Sequence, residues 1–174
     1  MADARWESAE ELLKTWLRRG REGQHSHHEA GKVLKRANYA LAIPVIVITA
    51  GLGTAAFATI TTRLASGWKV TFGVLSIAAA VLSTLQTHMR YAERAEKHKT
   101  LGAQYGNIRR RIESVLATPL IEREDPRSVL DEIRAKFDAL SSEGDVVTRR
   151  IFAKTLRRLD ERDRDRAQGR LKSP

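Results

Sequence analysis

Two long stretches without Asp, Glu, Lys or Arg constrain this chain more than any other feature. Between Arg36 and Arg63 lie 26 such residues, and between Lys69 and Arg90 lie 20. At about 1.5 Å of rise per residue these make helices of about 39 and 30 Å, each sufficient for a hydrocarbon core about 30 Å thick. The predicted fold class is an all-α membrane protein: transmembrane helices over 37–62 and 70–89 form an antiparallel hairpin, extended by cytoplasmic helices. The competing arrangement is a soluble bundle with these two helices at its centre. A helix apolar on every face needs apolar neighbours all round it, whereas each other segment offers one narrow apolar stripe. Nor does the first run fit a cleaved signal peptide, because it follows 36 residues rich in charge and exceeds the length of an h-region.

Averaged over its length, a chain with 30% charged residues and a net charge of +10 suggests a soluble basic protein, and the patterning overrides that average. Cysteine is absent, which excludes a disulfide framework, thiolate nucleophiles and thiolate metal sites. Arg18, Arg19, Arg21, Lys32, Lys35 and Arg36 precede the first run, and Arg90, Arg94, Lys97, Lys99 and Arg109 follow the second; the connecting segment holds only Arg63 and Lys69. The excess of bases on that side places both termini in the cytoplasm and the short loop outside, with Trp68 as an interfacial anchor.

Three segments are expected. Residues 1–24 form an amphipathic helix, with Trp6, Ala9, Leu12, Leu13, Trp16 and Leu17 on one face, and a linker marked by Gly20 and Gly23. The helix face suits a membrane surface or a partner helix equally. Residues 25–118 form the hairpin and its stalk. Its first helix starts at Ser26 as N-cap with Glu29 completing a capping box, and Pro44 kinks it. Its second helix continues without interruption past Met89 to Leu116. A fold about Ser66 sets Pro44 opposite His88, and His28 opposite Gln104 or Tyr105. Residues 119–174 form two cytoplasmic helices. The first has Asp125 as N-cap, Pro126 at its first position and a stripe of Val129, Ile133, Phe137 and Leu140. The second runs from about Asp145 with Val147, Ile151, Phe152, Leu156 and Leu159 on one side, and its end, 160–166, is expected to fray.

No phosphate loop, nucleophile elbow or paired carboxylates in an apolar setting occur, so the chain is not expected to be an enzyme and no cofactor is implied. His25, His27 and His28 cluster in the juxtamembrane segment and would suit a metal if a carboxylate joined them, but that segment is expected to be solvated, where a plain polar role is favoured. His88 is read as satisfying the carbonyl that Pro44 leaves unpaired, or, more sharply, as a proton-sensitive gate. Gly73, Ser76, Ala80, Ser83 and Thr87 fall within an arc of about 80° on the second membrane helix, and Thr49, Gly53 and Ala56 make a similar face on the first. Such faces allow close helix packing, with hydroxyls bonding across, or line a pore when hairpins assemble. Residues 90–174 hold 21 Lys and Arg against 15 Asp and Glu, interleaved at helical spacing. That interleaving favours a solvated, ion-paired surface over nucleic-acid binding.

An approach helix with His28 and Tyr39, two membrane helices with a short loop, and then Tyr91-Ala-Glu-Arg-Ala-Glu-Lys-His98 followed by Tyr105 and Ile108 through Leu116 resemble the SLATT family, two-transmembrane effectors associated with nucleotide-signal and SLOG systems. The resemblance covers residues 25–118. It implies a bacterial anti-phage effector of the inner cell membrane that assembles into a homo-oligomeric pore. Its trigger would be a nucleotide second messenger or an operon-encoded sensor or nucleotidyltransferase, acting through a stalk that includes His28, His98 and Tyr105. The alternative from another class is a membrane anchor whose cytoplasmic helices recruit a soluble partner.

Overall fold

The computed structural model describes residues 2–59 and 66–169, among which every regular element is helical. Helix α1 spans Ala2–Thr59, α2 Ser66–Met89, α3 Tyr91–Ala117, α4 Pro126–Glu143 and α5 Arg149–Ala167, with one 3₁₀ turn at Leu120–Glu122. The chain forms two compact units, Met1–Gly31 with Glu96–Pro174, and Lys32–Ala95. The first is here called the charged unit and the second the apolar unit.

In the charged unit, Trp6, Ala9 and Leu13 of α1, Leu101, Ile108, Ile112 and Val115 of α3, and Val129, Ile133, Phe137 and Leu140 of α4 form one buried cluster. The α4 stripe read from the sequence is therefore core throughout. The α1 stripe, which suited either a membrane surface or a partner helix, docks on helices except at Leu12, which is exposed: Trp16 and Leu17 also pack on the cluster, and the Trp16 ring meets Phe137 edge-on at 6.2 Å.

Helix α3 stops before Thr118-Pro119 and α4 starts at Pro126, as predicted. The Asp125 carboxylate caps α4 by accepting from the N–H groups of Arg127 at 3.1 Å and Ser128 at 3.4 Å. Arg123 fastens the connection between these helices. Its guanidinium donates to the carbonyls of Thr118 at 2.7 Å and Leu116 at 3.1 Å, pairs with Glu10 at 2.6 Å and lies 5.0 Å from the centre of the Trp6 ring.

Several expectations need correction. The glycine linker does not exist, because α1 is continuous over 58 residues. Ser26 is thus inside a helix and buried rather than its N-cap. Gly20 and Gly23 serve close approach instead: a Cβ on Gly20 would lie 3.6 Å from the Cβ of Arg109, and one on Gly23 would lie 2.7 Å from the Tyr105 ring. Helix α5 begins at Arg149, later than Asp145, and runs through the segment expected to fray, reaching Ala167. Asp163 there accepts both arms of Arg21, at 2.7 and 2.9 Å, which ties the end of α5 to α1. Such forked pairs hold geometry as well as charge.

In the apolar unit, Pro44 lies inside α1. Residues 60–62 of the expected first span, and 63–65 of the loop, fall outside the described residues. Helix α2 begins at Ser66, ahead of the expected Val70, so Trp68 and Lys69 belong to its first turn. The expected uninterrupted run past Met89 is also corrected. Arg90 takes a left-handed φ of +48°, which no α-helix continues, and α3 begins anew with the N–H of Arg94 bonded to the Arg90 carbonyl at 3.0 Å. Both helices are long and apolar enough to cross a membrane, and of their most apolar 18-residue stretches 0% and 6% is buried within the chain. Central helices of a soluble bundle would be mostly buried within the chain, and these are not.

Candidate functional site

The feature that sets the charged unit apart from an ordinary helical core is a polar seam between α1 and α3. Its register is antiparallel: Gly20 lies against Arg109, Gln24 against Gly106 and His28 against Gly102. A Cβ on Gly102 would stand 3.2 Å from the His28 ring, and one on Gly106 would stand 3.0 Å from Nε2 of Gln24. The glycines, each weaker than alanine in a helix by about 1 kcal/mol, make room for polar side chains that a standard helix spacing would exclude.

Within this seam His27 and His98 are 7% and 3% exposed, and their Nδ1 atoms lie 2.9 Å apart. One ring must donate and the other accept, so the pair holds a single proton between the two nitrogens. The Tyr105 ring stacks on His27, centroids 5.4 Å apart and planes 21° from parallel. Burial, then the neighbouring His98 and His28, push the His27 imidazole down to about 4, against a weak opposing pull from Asp145. At neutral pH His27 is therefore uncharged. Burial likewise lowers His25, helped by Arg21, Arg162 and Arg109, and raises the Tyr105 phenol.

The seam is incompletely satisfied. Among the described residues, Gln24 Oε1 and Ser26 Oγ are buried without a hydrogen-bond partner. A cleft of about 660 Å³ opens beside it, lined in part by Ser26, His27, Tyr105, Phe137, Asp145 and Phe152. Asp145 is held there by Lys97 at 3.2 Å. No three metal-ligating side chains converge among the described residues, and the 2.9 Å spacing of the two imidazoles is that of a hydrogen bond.

All three stalk residues drawn from the family resemblance, His28, His98 and Tyr105, therefore lie on the seam. His27, assigned to a solvated segment, is instead buried at its centre; Ser26 and Gln24 were missed as members. The signal was present as a helical spacing of small and polar residues, Gly20, Gly23, Gln24 and His27 on one side of the seam and His98, Gly102, Gly106 and Arg109 on the other. It was obscured because two glycines so close together also punctuate loops.

In the apolar unit the small-residue faces do not pack within the chain. Thr49, Gly53, Gly73, Ser76, Ala80, Ser83 and Thr87 are exposed, and a Cβ on Gly53 or Gly73 would meet nothing within 4 Å. The side chain of Ala56 lies outside the described residues. The protected positions belong to the neighbouring stripes, Phe72, Ala79, Leu82, Gln86 and Met89 on α2, and Leu41, Val45, Ile48, Leu52 and Ala55 on α1. Hydroxyls expected to bond across helices bond back along their own: Thr49 to the Val45 carbonyl at 2.8 Å, Ser76 to Phe72 at 2.8 Å and Thr87 to Ser83 at 3.0 Å. Pro44 is half-buried, whereas His88 is exposed in the last turn of α2.

No family model, curated protein or solved structure matches the chain.

Proposed function

We propose that this chain is a two-transmembrane effector of the SLATT type, not an enzyme, whose apolar helices span the bacterial inner membrane as a hairpin with both termini cytoplasmic. Several copies assemble through the exposed small-residue faces to form a pore. A conflict-system signal, a nucleotide second messenger or an operon-encoded sensor or nucleotidyltransferase, reaches it through the seam of α1 and α3. The observation that carries the proposal is that two helices of this length have almost no fully buried residue in their most apolar stretches. Water would charge about 25 cal/mol for each Å² of such surface, and lipid removes that cost. Once in lipid, helices associate through faces small enough for close approach, and such faces lie open on both α1 and α2.

Expression of the full chain in bacteria, read with a potential-sensitive dye beside carbonate extraction of the membranes, tests this. A membrane-resistant protein that collapses the potential is expected. Recovery in the soluble fraction, or an intact potential at high membrane level, overturns it.

A second function is favoured by one observation of its own: the charged unit has a buried core of its own. A membrane anchor that recruits a soluble partner through that unit would capture the partner and show no conductance in liposomes.

A further inference from the structure

We propose that the break between α2 and α3 is a binding site for the headgroup of one anionic phospholipid, with Arg94 and Arg90 holding its phosphodiester. The inference rests on the membrane-spanning placement of α2 and adds the lipid that α2 selects.

The break stands where the chain changes solvent. The residues from Val70 to Met89 include no Asp, Glu, Lys or Arg, and the next residue is Arg90. In a bilayer, the end of such a run lies at the depth of the phosphates. At that point the backbone turns through the left-handed region at Arg90. Positions of this kind usually hold Gly or Asn, which adopt them at less cost. An arginine here instead keeps a guanidinium at the break.

The turn opens a notch of about 320 Å³ lined by His88, Met89, Arg90, Glu93 and Arg94. Arg90 pairs with Glu93, and both side chains remain about two-thirds exposed. Arg94 has no carboxylate partner among the described residues. One acid against two arginines leaves the notch with a formal charge of +1, which matches a phosphodiester monoanion. His88 adds a hydrogen-bond donor on the apolar side, and Met89 a contact for the first carbons of an acyl chain. Guanidinium is suited to phosphate because its planar fork can donate twice.

Lys32, Lys35 and Arg36 of the same unit add bases where α1 enters its apolar run. These raise the local concentration of every anionic lipid and select none. The notch differs from them in combining a cavity, an unmatched guanidinium and an apolar floor.

The full chain is reconstituted in nanodiscs containing phosphatidylglycerol and phosphatidylcholine, and the lipids that stay bound on release are weighed by native mass spectrometry. Wild-type protein is expected to retain phosphatidylglycerol in preference. R94Q should lower that preference about fivefold, the worth of one base near an anionic surface; R94K should keep most of it, and E93Q should raise it. Equal retention by R94Q and wild type overturns the proposal. Inorganic phosphate that displaces the lipid from detergent-purified protein identifies a free anion as the ligand and also overturns it. Protein that fails to enter the discs fails the membrane placement itself, and carbonate extraction separates that result from loss of lipid selectivity in an inserted chain.

Discussion

Nδ1 of His27 on α1 lies 2.9 Å from Nδ1 of His98 on α3, so one shared proton joins the two helices at the centre of the polar seam. Adding a further proton would make one of the two rings a buried cation. The low exposure of both rings, 7% and 3%, leaves little water to screen them.

Stability should therefore fall on mild acidification. The His27 imidazole is pushed from its ordinary 6.5 down to about 4, so between these values the unfolded chain binds a proton that the folded chain refuses. The contribution is complete above pH 6.5 and is lost progressively as pH falls through about 4. Its size is on the order of 3 kcal/mol. Thermal melts of the full chain in detergent, taken across this range, should show the loss. His27→Gln should flatten that dependence, and an unchanged slope would assign the acid sensitivity elsewhere.

The seam glycines should differ sharply. Gly23→Ala drives a methyl to 2.7 Å from Tyr105 Cδ1 and 3.0 Å from Cγ, the fixed end of a ring already stacked on His27. A cost of about 1–3 kcal/mol is expected. Gly20→Ala meets only ordinary contacts from 3.6 Å outward, and gains up to about 1 kcal/mol of helix propensity. Chemical denaturation of the two variants measures the contrast.

Ser26→Ala should stabilise the chain. Its hydroxyl is buried with no partner among the described residues, so removing it relieves a desolvation cost of about 1 kcal/mol or more. A variant less stable than wild type would show that Oγ has a partner in solution.

Arg123→Ala should be among the most damaging single changes in the charged unit. It releases two carbonyls at the end of α3, the Glu10 carboxylate and the face of Trp6. Since the arginine side chain is only 7% exposed, a loss of about 2–4 kcal/mol is expected. Arg123→Lys should recover only part of it, because an ammonium cannot serve these acceptors as a fork. Denaturation midpoints rank the three proteins.

Ser76→Leu and Ala80→Leu test the proposed pore directly. Both positions are exposed in the single chain, so the monomer should lose no more than about 0.5 kcal/mol. Membrane depolarisation should nevertheless be abolished, because larger side chains keep neighbouring hairpins apart. Ala79→Leu, at a position 5% exposed, should instead disturb the unit itself. Depolarisation that survives Ser76→Leu and Ala80→Leu would remove these faces from the assembly.

Local chemistry made much of the fold legible. Asp125-Pro126 starts a helix because its cap and fixed φ act within one turn, and the α4 stripe is read by spacing alone. Two uncharged runs reveal helices fit for lipid because a charge within them would cost several kcal/mol. Whether Gly20 and Gly23 loosen a linker or admit a neighbour is different in kind, since it depends on Tyr105 and Arg109, more than 80 residues away. The charged tail of α5 looked ready to fray for the same reason: its partner, Arg21, lies 142 positions earlier.

The character of each segment, helical, apolar or amphipathic, and the place of several of its ends could be read from the residues alone. Those properties follow from bonds and side chains within a few residues of one another. Which faces are spent and which remain open was set by the folded arrangement. It buried His27 against His98, turned the small-residue stripes of α1 and α2 outward, and broke the backbone at Arg90. The first two outcomes depend on atoms that the chain brings together from distant positions, where periodicity within one segment carries no information.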